Sequence, residues 1–274
     1  MSENTLGSTA YWTAAVRAME HERPDRLFAD PWAAALAGET GKAWINTRTP
    51  DSVAPIVLRT RFFDDFLQRV TQQSGIRQVV LMAAGLDTRP IRLNWPEKTT
   101  FFELDQASLL VYKEQMLSAA GAVPGVERHA VSVDLTTTWK DALLLAGFNA
   151  QSSAIWLLEG FLFYLATADL TRILDEVSSL AAEGSWLGFD VINSEVLTSP
   201  WTRAWVEMQA SQAAPWIGTL DDPVGFLAQR GWMAELSQAG APDANHERWT
   251  LPVIPVTMPG MPHNWYVTAK KQHS

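Results

Sequence analysis

Asp105, Glu159 and Arg59 are the side chains of this sequence whose types and positions point most directly to chemistry. Asp105 closes the apolar run Phe101-Phe102-Glu103-Leu104 and stands 20 residues past Gly85, in the small-residue turn Ala83-Ala84-Gly85 after the strand-like QVVLM. An acid at that distance from a glycine turn is where a parallel α/β sheet places the acceptor for a ribose diol, and a carboxylate takes both hydroxyls at once. The same aspartate, followed by Gln106, also suits the cap of a helix opening there. The turn departs from GxGxxG, and alanine at its first two positions hinders close approach of a pyrophosphate. An adenosyl cofactor without phosphates asks for less: backbone groups from 83–85 and a counter-ion for its carboxylate.

Asp134 repeats the arrangement in Ser132-Val133-Asp134-Leu135. At the end of a neighbouring strand it could take an adenine amine while Leu135 packs on the ring, or cap a helix ahead of residues 136–138. Glu159 follows five apolar residues, Ala154-Ile155-Trp156-Leu157-Leu158, at the strand end where open parallel sheets bind ligands. It suits either an amine or the polarisation of an acceptor, with Phe161, Phe163 and Tyr164 as an aromatic wall beside it. In the helix pattern 58–70, a projection at 100° per residue puts Phe62, Phe63, Phe66 and Val70 on one face with Arg59 among them. A buried guanidinium needs an anion, so Arg59 reads as a carboxylate clamp whose replacement by methionine leaves stability intact. Arg61 falls on the other side, within reach of Asp64 and Asp65 as a surface pair.

The elements that must position these groups form three zones. Residues 9–70 read as helical, with Asp30-Pro31 as an N-cap followed by proline in the first turn. From 78 to 193 strand patterns (QVVLM, TTFFELD, 129–135, AIWLLE, WLGFDVI) alternate with helical ones at 106–120 and 168–182, the latter closed by Glu183-Gly184. This alternation predicts a mostly parallel sheet covered on both faces. A tryptophan- and methionine-rich stretch, 195–218, follows. A helix then starts at Asp222-Pro223, and strand patterns at 232–237 and 264–269 suit an antiparallel hairpin. The expected organisation is one domain over 1–274: a cap at 1–72, a cofactor-binding core at 76–193, an acceptor-side insertion at 194–222, and a helix and hairpin at 223–270.

The 274 residues carry 47% apolar content and a net charge of −9, with a pI near 5.0. That acidity argues against nucleic acid as a partner. No apolar run is long enough to span a bilayer and the N-terminus lacks a signal pattern, so a cytoplasmic protein without a membrane partner is expected. Zero cysteines exclude disulfides and thiolate catalysis. His21, His129, His246, His263 and His273 stand at no metal-ligand spacing, so no metal is expected, and there is no GxSxG elbow. Several of the 13 tryptophans lie outside the strands; of these, Trp201, Trp205 and Trp216, with Met208, suit either a cover over an apolar acceptor or plain packing.

The chain resembles the S-adenosylmethionine-dependent methyltransferases related to leucine carboxyl methyltransferase and the tetracenomycin-type polyketide O-methyltransferases. The resemblance rests on VRAMEHERPDRLFADPWA, LRTRFFDDFL, AAGLDTRPIRL, FFELDQ, VDL, WLLEGFLFYL and DDPVGFLAQRGW. It implies an α/β, Rossmann-like seven-stranded sheet, mostly parallel with a C-terminal antiparallel hairpin, under an N-terminal helical cap. It further implies S-adenosyl-L-methionine as cofactor, Arg59 on the methionine carboxylate, and the Ala83, Ala84 and Gly85 turn beneath the cofactor. Asp105 with Gln106 would lie at the ribose, Asp134 and Leu135 at the adenine, and Glu159 near the amino end. The family usually has glycine where Ala83 stands. Arg17 is a further basic position of the cap, on the polar side of its helix. The acceptor pocket is expected from Arg17, Phe161, Tyr164, Trp201 and Trp205, with Tyr164 as the acceptor contact and no catalytic base assigned. The acceptor itself is a small molecule, polyketide or peptide presenting a carboxylate or a phenol. The want of a histidine in the motif segments favours the group already ionised at neutral pH. The alternatives are a nicotinamide-dependent Rossmann oxidoreductase, opposed by the missing GxGxxG, and a non-catalytic cofactor-binding homologue.

Overall fold

Strand β1 (Gln78–Met82) shows why a sheet forms with both faces covered. Val79 and Leu81 point to one side and Val80 and Met82 to the other, and all four are buried. In the computed structural model, which describes residues 6–272, the first side packs against Phe63, Phe66, Leu67 and Val70 of helix α3 (Pro50–Ser74). The second packs against Leu170, Ile173, Leu174 and Val177 on the apolar face of a later helix (Thr167–Leu180). Residues 1–5, His273 and Ser274 lie outside the described residues, and with them part of the expectation drawn from the N-terminus.

Helices α1 (Leu6–His21) and α2 (Ala33–Ile45) precede α3, which opens on a reciprocal capping box between Thr49 and Ser52 with Pro50 in its first turn. After β1 come α4 (Arg89–Arg92), β2 (Thr100–Asp105), α5 (Ala107–Ala119), β3 (Glu127–Ser132), α6 (Lys140–Leu145) and β4 (Ala154–Leu158). A single 3-10 turn (Leu162–Tyr164) leads into α7 (Thr167–Leu180) and β5 (Trp186–Ile192). The rest is α8 (Ser194–Thr198), α9 (Arg203–Ser211), α10 (Pro223–Ala228), β6 (Trp232–Gln238) and β7 (Asn264–Lys271). The seven strands run in the order β3-β2-β1-β4-β5-β7-β6, parallel except for β7, which is antiparallel to both its neighbours. The expected sheet and terminal hairpin are therefore present. Connection direction reverses between β1 and β4, so the chain leaves their carboxyl ends on opposite sides and opens a crevice there.

Two local expectations are corrected. Asp30 does not cap α2, whose N-cap is Trp32; the Asp30 carboxylate is buried and hydrogen-bonded to Arg17 and Thr88. The third strand ends at Ser132 rather than continuing to Leu135, which places Val133, Asp134 and Leu135 in the loop beyond it. Among the described residues no helix is long and apolar enough to cross a membrane.

Candidate functional site

The turn after β1 is held from three directions. Ala84 N donates to Leu104 O at 3.0 Å, joining the turn to β2, and Gly85 N donates to Asp105 Oδ2 at 2.7 Å. Arg17 Nη2 donates to Leu86 O at 2.6 Å, so α1 presses on the turn from the cap. Ala83 and Gly85 both adopt positive φ, 51° and 49°. Glycine takes that conformation freely and alanine at a cost of about 1–2 kcal/mol, so Ala83 is strained in this turn. The other Asp105 oxygen accepts from Gln106 N at 2.7 Å, and burial holds its carboxyl above the usual range against both bonds.

Beyond the turn lies a buried chain of alternating charges. Arg17 meets Asp30 at 2.8 Å, Arg92 approaches Asp30 at 3.9 Å, and Arg92 and Arg89 both reach Asp64 at 2.6 Å. Arg89 also meets Asp87 at 2.5 Å and Glu159 at 2.7 Å; Arg59 then meets Glu159 at 3.0 Å and Asp190 at 2.8 Å. Four guanidiniums thus face five carboxylates, one more anion than cation, before Asp105 is added. Burial pushes the Glu159 carboxyl up, but Arg89 and Arg59 outweigh it and hold the group below the usual range. Glu159 Oε2 is buried and, though ion-paired to Arg89, forms no aligned hydrogen bond. Asp190 is the opposite case: burial dominates and raises its carboxyl, despite Arg59 and a 2.6 Å bond from Gly160 N. Gly160, at φ 68°, lies so close to Arg59 that a Cβ there would stand 2.8 Å from Nη2.

Apart from Asp30, Asp64 and Asp190, which lie behind the wall, the charged groups of this network border one cavity of about 840 Å³ between the strand ends and the helical cover. Arg59, Ala83, Ala84, Gly85, Asp105, Gln106, Asp134, Leu135 and Glu159 all border it, as do Arg17, Phe161, Phe163, Tyr164 and Trp205. Trp201 does not: it is 73% exposed at the start of the α9 region. Its place on the wall is taken by Trp216, buried edge-on against Trp205 and close to Phe163. Arg17 is buried, not on a polar side, because both α2 and the 83–87 turn pack on α1. Asp64 pairs with Arg89 and Arg92 rather than Arg61, while Arg61 keeps the expected exposed contact with Asp65 at 2.8 Å. Asp134 is exposed, and its Oδ1 caps the turn at Thr136 with bonds of 2.8 and 2.6 Å. Arg59 is not the free clamp expected, since Nε and Nη1 already hold Glu159 and Asp190; only Nη2 makes no hydrogen bond among the described residues.

Sequence reasoning missed Asp87, Arg89, Arg92, Asp190 and Gly160. The signal for the first three was the alternation of charge in GLDTRPIR directly after the glycine turn. Asp190 stood in plain view as an acid inside the apolar strand WLGFDVI, where packing alone does not explain it. The described histidines have local partners: His21 with Asp30 N, His129 with Glu127, His246 near Asp65, and His263 between Gln238 and Met258. None borders the cavity, and no three His, Cys, Asp or Glu side chains among the described residues gather as a metal site would require.

The family model described as leucine carboxyl methyltransferase matches residues 10–178. A candidate S-adenosyl-L-methionine-dependent methyltransferase of Parafrankia sp. is 44% identical over 196 residues, 68% of this chain and 63% of the relative, so the match spans less than two thirds of that protein's length. A similarly described protein of Mycobacterium tuberculosis is 35% identical over 267 residues, 86% of each chain. Among solved structures, a DUF574 family protein from Streptomyces avermitilis superposes with a TM-score of 0.57 at 14% identity, covering 94% of this chain and 96% of that one. A candidate methyltransferase from Thermobifida fusca gives 0.57 at 16% identity, covering 95% and 94%. At such identities the two structures speak to the fold alone.

Proposed function

Because the chain belongs to the leucine carboxyl methyltransferase family of S-adenosyl-L-methionine-dependent methyltransferases, we propose that it methylates an oxygen of a small-molecule, polyketide or peptide acceptor, and that this oxygen belongs to a carboxylate. The observation that carries the reading is Glu159 Oε2 at the β1–β4 crevice, buried and short of a hydrogen bond. S-adenosylmethionine suits that site, since its ammonium is a charged donor for the Glu159 carboxylate and its carboxylate an acceptor for Arg59 Nη2. When bound, it supplies a methyl group on a positively charged sulfur, open to in-line attack by an oxygen.

The chain's own residues then have distinct tasks. Glu159 accepts the ammonium and Arg59 Nη2 takes the carboxylate. The 83–85 turn lies beneath the cofactor, and Asp105 accepts the ribose hydroxyls with its remaining lone pairs. Asp134 and Leu135 lie at the adenine, Asp134 through the Oδ2 that the Thr136 turn leaves open. The segment 194–222 covers the acceptor side through Trp205, Met208 and Trp216, where it helps exclude water.

The carboxylate preference rests on the want of a base. No histidine among the described residues borders the cavity, and burial raises the phenols of Tyr164 and Tyr266, which therefore stay protonated at neutral pH. Glu159 and Asp190 are tied to arginines. An acceptor carboxylate arrives ionised, whereas only about one phenol in a thousand is ionised at pH 7. Labelled methyl transfer to a panel of acids and phenols tests this. The ester reading predicts a product that releases labelled methanol in mild alkali; a product that keeps its label under alkali rejects it.

A further inference from the structure

The helical side of the cavity holds a cation with no anion. Arg48, in the turn between α2 and α3, is half-buried and borders the cavity. Its Nη1 donates to Met208 Sδ at 3.1 Å, a weak acceptor, and its Nε is buried with no partner. It forms no ion pair among the described residues, in contrast to Arg17, Arg59, Arg89 and Arg92. The guanidinium lies 4.6 Å from the Trp44 ring centre, and Trp44 stacks on Trp12 at 5.3 Å with the planes 7° apart. Trp44 Nε1 is fixed in turn by Gln212 Oε1 at 2.9 Å. Both tryptophans border the cavity, and the guanidinium lies over the Trp44 ring, so a cation and a stacked apolar pair stand side by side on the wall.

A guanidinium with a buried, unpaired N–H leaves a polarity unmatched that a planar oxyanion would satisfy. We infer that Arg48 recognises an anionic group on the acceptor, held at the end remote from the methylated oxygen, with a flat apolar body between them against the Trp12–Trp44 slab. The inference rests on the methyl-transfer reading above and adds the acceptor's second polar end.

Three features keep this anion separate from the cofactor and from the reacting oxygen. Arg59 engages the sheet through Glu159 and Asp190, whereas the Arg48 guanidinium meets the cover, through Trp44 of α2 and Met208 of α9. The helix rise sets the backbones of Pro50, which opens α3, and Arg59 about 14 Å apart, and Arg48 precedes Pro50 in the chain. A guanidinium clamped on the reacting oxygen would also withdraw the electron pair that must attack. The cavity has room for both ligands: 840 Å³ lies in the upper part of the range of about 300–1,000 Å³ usual for a single small molecule.

The test is calorimetry on the full-length chain. S-adenosylhomocysteine is titrated first, and the saturated protein then receives the diacid 2,6-naphthalenedicarboxylate or its monoamide, 6-carbamoyl-2-naphthoate, which share one carboxylate and differ only in charge at the far end. The diacid is expected to bind at least tenfold tighter than the monoamide. Arg48→Met, which keeps the apolar stem, should remove that preference with S-adenosylhomocysteine affinity within twofold of wild type. Arg48→Lys, which keeps the charge, should retain a severalfold preference. Diacid and monoamide binding within twofold of each other, binding of neither, a preference that survives Arg48→Met, or a lysine variant without preference would overturn the inference. Wild-type protein that fails to bind S-adenosylhomocysteine overturns the cofactor reading instead, so the two failures are distinguishable.

Discussion

Replacing Arg59 by methionine should cost stability as well as cofactor affinity. The substitution keeps the apolar stem against the α3 face but leaves two carboxylates behind. Glu159 retains Arg89 at 2.7 Å, whereas Asp190, fully buried, retains only the 2.6 Å bond from Gly160 N. Removing one partner of a buried ion pair typically costs about 3–5 kcal/mol. For a domain of this size that corresponds to a fall in melting temperature on the order of 10 °C. The loss should depend on pH in a definite direction. Burial already raises Asp190, and losing Arg59 raises it further. A carboxyl whose native pKa exceeds its unfolded value contributes most below the unfolded pKa and loses that contribution as pH rises through the native one. The deficit between variant and wild type should therefore be larger at pH 8 than at pH 5.5. Arg59→Met/Asp190→Asn removes the stranded charge and should recover part of the melting temperature without recovering S-adenosylhomocysteine binding. Thermal melts at the two pH values, with calorimetry alongside, read out all of this. A single variant melting within 2 °C of wild type at pH 8, or a double variant no more stable than the single one, would refute the reasoning.

Further substitutions test separate parts of the site. Asp105→Asn keeps an acceptor for Gly85 N or Gln106 N but removes the charge, so calorimetry should show S-adenosylhomocysteine binding weakened more than tenfold; an unchanged affinity would leave Asp105 as a tether of the turn alone. Ala83→Gly relieves a φ of 51° at some cost in unfolded-state entropy, for a net gain of about 0.5–1 kcal/mol. A melting temperature several degrees lower would show that the Ala83 methyl packs for more than the strain it brings. Trp201→Ala, at a side chain 73% exposed and off the cavity, should shift stability by no more than about 0.5 kcal/mol and leave methyl transfer unchanged, and a lost acceptor would return Trp201 to the site.

The strands and the two strand-end acids were legible because their signals are local. Short, mostly apolar runs mark QVVLM and WLGFDVI, whose limits the structure reproduces. Arg59 could be placed in the interior because its phenylalanine neighbours define a face. Arg17 could not, since Ala14, Ala15 and Val16 surround it with buried positions and give the helix no single apolar side. The charge network escaped for a different reason. Its pairs join residues as far apart as Arg59 and Asp190, and such pairing is fixed by strand order, which no local pattern encodes. Residue type misled at Trp201: an aromatic ring suits a pocket wall, but which of several nearby tryptophans faces inward depends on how α9 lies over the sheet.

Calorimetric titration of the wild-type chain with S-adenosylhomocysteine and, separately, NAD tests the central claim most directly. Asp105 and Glu159 at a crevice without a pyrophosphate loop predict one site of micromolar affinity for S-adenosylhomocysteine and no heat from NAD. Comparable binding of both, or of neither, would contradict it.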